Sequence, residues 1–310
     1  MLSLASFPQL LLSASIDQFG PVSHWTCDEV SGVRFDSNVN NNNDLTDNNT
    51  VGSAVGLLGN ACDFEYANSE WLSISDASQV GLDLSGDFTL SIWVKRESDV
   101  QTQLMGKRDG NLGSNGRAYN LFIDALSGTS LDSNISNGGT DVWKGVTWAP
   151  SLATWYHLVM VYTASAGSGK FYVNGTQVGT TQTGYPTTVY NNTIEFALGV
   201  NGGTHTLYYD GLMDEITVIS SALNGSEVAI LYNSGTPLPY TQPAELTNPK
   251  LIPYNDDMPR IESINCPDAT CTLQYATTTD VYLTAPTMLL FFVVSIFVLM
   301  VSAYLAYKFL

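Results

Sequence analysis

At 310 residues the chain is long enough for one large core or two ordinary ones. Its 29 acids against 11 bases give a formal charge of −18, and no run of Lys or Arg could track a phosphate backbone, which excludes nucleic acid as a partner. Charged residues make up only 13% of the chain and aromatics 11%, beside 26 Gly, a mixture that suits pleated strands joined by tight turns and argues against long amphipathic helices. The acidic surface is compatible with a cell-surface setting and with divalent cations, although simple solubility is the favoured account of it.

The first 20 residues carry an apolar stretch and the small residues Ser13 to Ser15, but no Lys or Arg precedes them and Pro8 interrupts the run. They make a poor signal peptide, so residues 1–20 are left as a weak leader or a flexible N-terminal segment. From about Pro21 to Gly235 short alternating runs are separated by turn residues. In "DFTLSIWVKR" Phe88, Leu90, Ile92 and Val94 face one way and Thr89, Ser91, Trp93 and Lys95 the other. Residues 118–125, 155–163, 193–200 and 212–219 repeat the pattern, and Asn174–Gly175 between two such runs predicts a type I′ hairpin. Residues 37–50 and 109–120 are rich in Asn and Gly and predict loops. One short helix is expected, with Asn224 as its cap, Glu227 at the capping-box position, and Val228, Leu231 and Tyr232 on its apolar face. Many strands without intervening helices predict an all-β, antiparallel two-sheet sandwich over residues 21–235.

Four cysteines fall as two pairs, Cys27 with Cys62 and Cys266 with Cys271. Neither has zinc-ribbon spacing, and disulfides are the favoured use, with buried free thiols at 27 and 62 as the alternative. Residues 236–286 carry recurrent Pro and predict an extracellular stalk, with a small loop between Cys266 and Cys271. Thr287 to Tyr307 hold no charge, Gly or Pro, and at about 1.5 Å per residue span about 31 Å, the length of a single-pass transmembrane helix. Lys308 in the three-residue tail 308–310 votes for a cytoplasmic or interior C-terminus, with the rest outside at a cell surface or viral envelope.

The segments "HWTCDEVSG", "GNACDFEYANSEWLSI", "GDFTLSIWVKR", "WYHLVMVYTASAGSGKFYVNGTQVG" and "YYDGLMDEITVISSALNGSEVAILY" resemble, in order and spacing, laminin G-like members of the concanavalin A-like lectin/glucanase superfamily. The resemblance implies a jelly-roll β-sandwich. Because that superfamily includes glycoside hydrolases, the neighbouring acids Asp214 and Glu215 raise the question of a catalytic pair. A retaining glycosidase needs two carboxylates about 5–5.5 Å apart facing one cleft, whereas adjacent strand residues point to opposite faces unless a bulge intervenes. The alternating acid pattern of the hydrolase branches is missing, so no catalytic residue is assigned and no enzyme is expected. The resemblance implies instead one structural calcium ion, with Asp214 as first candidate ligand, Glu29 next, Asp28 as a substitute and Gly59 as a carbonyl donor; calcium takes six to eight hard oxygens, which such a set can supply.

Sugar binding needs an aromatic face beside hydroxyl partners, and Trp143, Trp148, Tyr185 and Tyr190, each next to turn residues, are the candidates. A core or sheet-face role is the competing account of all four. Trp25, Trp93 and Trp155 match core positions of the family. Asn-x-Ser/Thr triplets stand at Asn48, Asn134, Asn174, Asn191 and Asn224. The expected function is a membrane-anchored lectin-like module that binds glycans or a surface protein; the alternative is a structural or envelope surface protein with no free sugar ligand.

Overall fold

The computed structural model describes residues 15–110, 116–125 and 130–240, together with two short strands at 261–265 and 272–275. Two compact units emerge, Met1–Glu245 and Leu246–Leu310. Within the first, the strands in chain order are β1 (Pro21–Trp25), β2 (Thr46–Asn48), β3 (Gly52–Val55), β4 (Asn60–Phe64), β5 (Trp71–Ile74), β6 (Phe88–Arg96), β7 (Thr102–Arg108) and β8 (Arg117–Asp124). They continue with β9 (Ser130–Ser136), β10 (Asp141–Thr147), β11 (Trp155–Thr163), β12 (Ser168–Val173), β13 (Thr176–Thr183), β14 (Phe196–Leu198) and β15 (Gly211–Ile219), and one helix follows, α1 (Gly225–Tyr232).

All pairings are antiparallel and form two sheets. One runs β13-β12-β11-β6-β15-β4-β3 with β1 beside β15, and the other runs β10-β9-β8-β7-β14-β5-β2. This is the expected all-β sandwich, consistent with a jelly roll.

The alternation read in β6 holds, since Phe88, Leu90, Ile92 and Val94 all enter the core between the sheets. The opposite face of the same sheet is covered too. Val228 and Leu231 of α1 pack with Val159, Val161, Tyr172 and Ile219, and Trp93 stacks on Tyr232. Double coverage is why "WYHLVMVYT" is apolar nearly throughout rather than cleanly alternating. Asn224 accepts from the Ser226 and Glu227 amides while Glu227 accepts from the Asn224 amide, so the expected capping box is present. Asn174 and Gly175 take φ of 50° and 74°, both in the left-handed region that a type I′ turn requires.

Several stretches differ from expectation. Strands β7 and β9 have no clear period-2 apolar pattern and were not expected, and the run 193–200 contributes only the three residues of β14. Residues 37–50, expected as a loop, carry β2, which pairs with β5. Cys27 and Cys62 form a disulfide, settling the alternative of free thiols. Residues on both sides of the expected 21–235 pack into the head, since the Ile16 amide donates to the Pro239 carbonyl and the Tyr240 ring stacks on His24. In the second unit β16 (Ile261–Asn265) pairs antiparallel with β17 (Thr272–Tyr275), a hairpin within the segment expected to be a stalk without a sheet ladder. The Cys266–Cys271 pairing, the N-terminal residues 1–14 and the span 287–307 lie outside the described residues. Among the described residues no helix is long and apolar enough to cross a membrane.

Candidate functional site

The outer face of the sheet that holds β7 to β10 carries a cavity. Alternate residues of β8 divide between its two sides, Tyr119, Leu121 and Ile123 entering the core and Phe122 and Asp124 pointing outward. On β9 Leu131 and Ile135 face inward and Asp132 outward, and on β10 Val146 faces inward and Trp143 outward. The register sets Phe122 opposite Asp132, Asp132 opposite Gly145 and Asn134 opposite Trp143. Gly145 matters here because a Cβ at that position would lie 1.5 Å from Asp132 Oδ1, so its missing side chain is the space the Asp132 carboxyl occupies.

The cavity measures about 270 Å³ and is floored by Trp143 and Phe122, whose rings meet edge to face at 5.5 Å. Arg108, from the end of β7, lies over both rings, its guanidinium carbon 4.8 Å from the Trp143 centroid and 6.0 Å from that of Phe122, within cation–π range. It is 7% exposed, yet Nε and Nη1 have no hydrogen-bond partner. Burial, with Arg117 nearby, lowers its pKa to about 10, which leaves it a cation at neutral pH. At the other end Gln101 Nε2 donates to Asp124 Oδ1 at 3.1 Å, and Asp132 is pushed up to about 6, first by burial and further by the Asp124 charge.

Of the four aromatics proposed from sequence, the structure brings Trp143 to this cavity, 37% exposed. The other three lie away from it. Tyr185 is 4% exposed and its hydroxyl lies 2.6 Å from Ser133 Oγ inside the core. Trp148 packs against the core, edge-on to Tyr156. Tyr190 lies against Gly138, where a Cβ would meet its ring at 2.6 Å. Arg108, Phe122, Asp124 and Asp132 were missed. The outward Phe122-x-Asp124 of β8 was the available signal, since an aromatic and an acid two residues apart share one face.

The expected calcium ligands divide differently. Asp28 Oδ1 accepts from the Asn60 amide at 2.8 Å, and a Cβ on Gly59, whose φ is +74°, would lie 1.9 Å from that same oxygen. Asp214 Oδ2 accepts from the Leu57 amide at 2.7 Å, so Asp214, Asp28 and Gly59 all border the turn between β3 and β4. Glu29 turns instead to the Phe35 amide at 2.9 Å. Between Asp214 and Thr217 the β15–β6 register slips, Glu215 takes φ 50°, and the core residues run Met213, Ile216, Val218. Glu215 is therefore the extra residue of a β-bulge. Its expected placement on the face opposite Asp214 is corrected: both acids lie on the side away from Met213 and Ile216, and the Asp28 charge raises the pKa of each.

What removes this pair from catalysis is burial. Asp214 is 0% and Glu215 4% exposed, so no sugar reaches either. His24 Nε2 lies 2.9 Å from Glu215 Oε2, at ion-pair distance but without hydrogen-bond alignment, and Asp214 Oδ1 and Glu215 Oε1 are buried without a donor. Burial, then the Glu215 charge, pushes Asp214 up to about 7. Elsewhere Asp63, Glu65 and Glu97 bring one ligand oxygen each within 4.8 Å of one another, on a more open surface.

A family profile described as the concanavalin A-like lectin/glucanases superfamily, of the laminin G type, matches residues 67–229, just over half of the chain. The chain belongs to this superfamily. Among solved structures, it is similar to domain 4 of AbnA, a GH43 extracellular arabinanase from Geobacillus stearothermophilus, in complex with arabinotriose, with a TM-score of 0.52, 24% identity and 68% of this chain aligned to 98% of that one. The binding domain of Paraclostridial Mosquitocidal Protein 1 gives 0.53 at 17% identity, over 69% of this chain and 52% of that one. Botulinum neurotoxin type C, whose cell entry is described as dependent on two ganglioside molecules, gives 0.53 at 13% identity, over 69% and 51%. The chain thus spans about half the length of each toxin chain, and at these identities the likeness is one of fold. No curated protein sequence matches the chain.

Proposed function

We propose that the superfamily domain is a non-catalytic glycan-recognition head, displayed outward from a membrane by residues 287–307. The observation that carries this is the cavity on the outer sheet face, where an exposed indole adjoins a buried guanidinium with unpartnered N–H groups and two carboxyl groups at the far end. A sugar ring offers an apolar face for Trp143 and hydroxyls that both donate and accept, which matches that lining. The arabinotriose bound by the AbnA domain supports the same fold being used for sugars.

A calcium ion fits the β3–β4 turn as part of this proposal. Asp214 and Asp28, with Glu215 behind them, would hold it, and its charge would offset the buried acids whose oxygens Asp214 Oδ1 and Glu215 Oε1 lack donors. The Gly59 carbonyl already accepts from the Gly56 amide at 3.1 Å and retains a second lone pair for a metal.

A glycan array probed with the full chain tests the function. Binding to a defined set of glycans, lost in Trp143→Ala, is expected. A blank array together with ordered self-assembly of the chain would overturn it in favour of a structural surface protein.

A further inference from the structure

Among the described residues, two fully buried cations are satisfied by the protein itself. Arg34, 0% exposed, donates from Nη2 to the carbonyls of Val51 and Gly52 and from Nη1 to that of Gly32. Lys107, equally buried, pairs with Asp76 and Asp83. Arg108 breaks this pattern. A buried N–H without an acceptor is costly because the water it gave up has not been replaced, and a charged donor more so. Its two unpartnered donors, Nε and Nη1, belong to a residue that lines the cavity.

Charge is unevenly distributed along that cavity. Arg108 pairs with Arg117 at the start of β8, with Asp141 and Asp109 also close in charge, while Asp124, whose charge raises Asp132, stands at the opposite end of that strand. Arg117 is itself engaged with Asp141, whose second oxygen takes the Asn134 amide, so that acid is already occupied. One end of the cavity is thus a donor-only cation, the other is a pair of acceptors, and the Trp143 and Phe122 rings lie between. A sugar that carries its own carboxylate is bipolar in the same sense, with an anion at one end and hydroxyl donors elsewhere on the ring.

Resting on the glycan reading above, we propose that the cavity takes a single carboxylated sugar unit, its carboxylate on the Arg108 guanidinium and its hydroxyls on Asp124 and Asp132. The size favours one such unit, because 270 Å³ lies just below the roughly 300–1,000 Å³ usual for ligand pockets. Whole-molecule charge favours it too. A chain at −18 repels a polyanion, whereas a lone carboxylate beside Arg108 is governed by its immediate surroundings, since a charge is screened beyond about 8 Å at physiological salt.

Two sources of that chemistry are separated by calorimetric titration of the full chain with 3′-sialyllactose and with galacturonate, each beside its own methyl ester. The acid of one pair or both is expected to bind at least tenfold more tightly than its ester, and the pair that shows the gap identifies the source. Arg108→Gln should close the gap and Arg108→Lys should keep part of it. Esters that bind as well as their acids, or a gap that survives in a folded Arg108→Gln chain, would overturn the proposal. If Arg108→Gln fails to fold, the ester comparison on the unsubstituted chain decides alone. Ester-insensitive binding that still needs Trp143 leaves the glycan reading standing without this one, and absence of binding to any glycan removes both.

Discussion

Trp143 and Gly145, two residues apart on one strand, make opposite contributions to the same cavity. The indole supplies a face, and Trp143→Ala is expected to weaken glycan binding at least tenfold, about 1.4 kcal/mol, with little change in melting temperature because the ring is partly exposed. Gly145 supplies space. In Gly145→Ala the new methyl would collide with the Asp132 carboxyl, so affinity should fall severalfold in a titration while the sheet remains intact. Asp214 gives a pH test with a defined sign. Its folded pKa of about 7 is raised above the ordinary 3.8, so between these values the unfolded chain releases a proton that the folded chain retains. Metal-free protein should therefore lose stability as the pH rises from about 4 to about 7, and added calcium, which favours the ionised carboxylate, should remove that loss. Asp214→Asn should flatten the slope, leaving the part that other raised acids such as Asp132 contribute, and should abolish the calcium response in a melting series. A calcium response that survives this substitution would belong to the Asp63, Glu65 and Glu97 cluster instead. Trp143 was legible in the sequence as a surface aromatic, but its separation from Tyr185 and Trp148 was not, because turn residues flank all three and only sheet register shows which ring turns inward. Arg108 was illegible for a related reason: nothing local distinguishes a strand-end Arg that lacks an acceptor from one that has found it.

At the scale of elements, the strands with a strong local signal were legible and those held mainly by their neighbours were not. The β6 alternation, the Asn174–Gly175 turn and the capped α1 each contain their own instruction, and all three are present. The polar strands β7 and β9 sit between other strands and take their form from the ladder on both sides, so period-2 patterning had little to report. The bulge in β15 is the sharpest case. Adjacent acids in a regular strand would face apart, but the αL residue Glu215 lets Asp214 and Glu215 share a side, a backbone event that residue type alone does not announce. The helix cap is open to direct measurement. Asn224→Ala removes the acceptor for the Ser226 and Glu227 amides and should cost about 1 kcal/mol in denaturant unfolding, without effect on glycan binding, since α1 covers the sheet opposite to the one bearing the cavity.

For the whole molecule, the sandwich separates the two proposed sites: the cavity lies on the seven-stranded sheet, and the buried acids sit on the eight-stranded one. Calcium removal is thus expected to lower the melting temperature more than it lowers glycan affinity. The Cys27–Cys62 bridge, with a sequence separation of 35, ties β4 to the segment after β1 and should be worth about 4 kcal/mol by the loop-entropy model, read as the shift in denaturant midpoint on Cys27→Ser with Cys62→Ser. Sheet number and fold class could be argued from composition and strand spacing, whereas the location of the cavity required the register of four strands at once. The central claim is that the outer face formed by β7 to β10 holds a sugar. A crystal structure of the chain grown with a glycan that binds it tests this most directly. A sugar ring stacked on Trp143 with an oxygen within hydrogen-bond distance of Arg108 is expected, and a ring seated elsewhere, with this cavity filled by solvent alone, would contradict it.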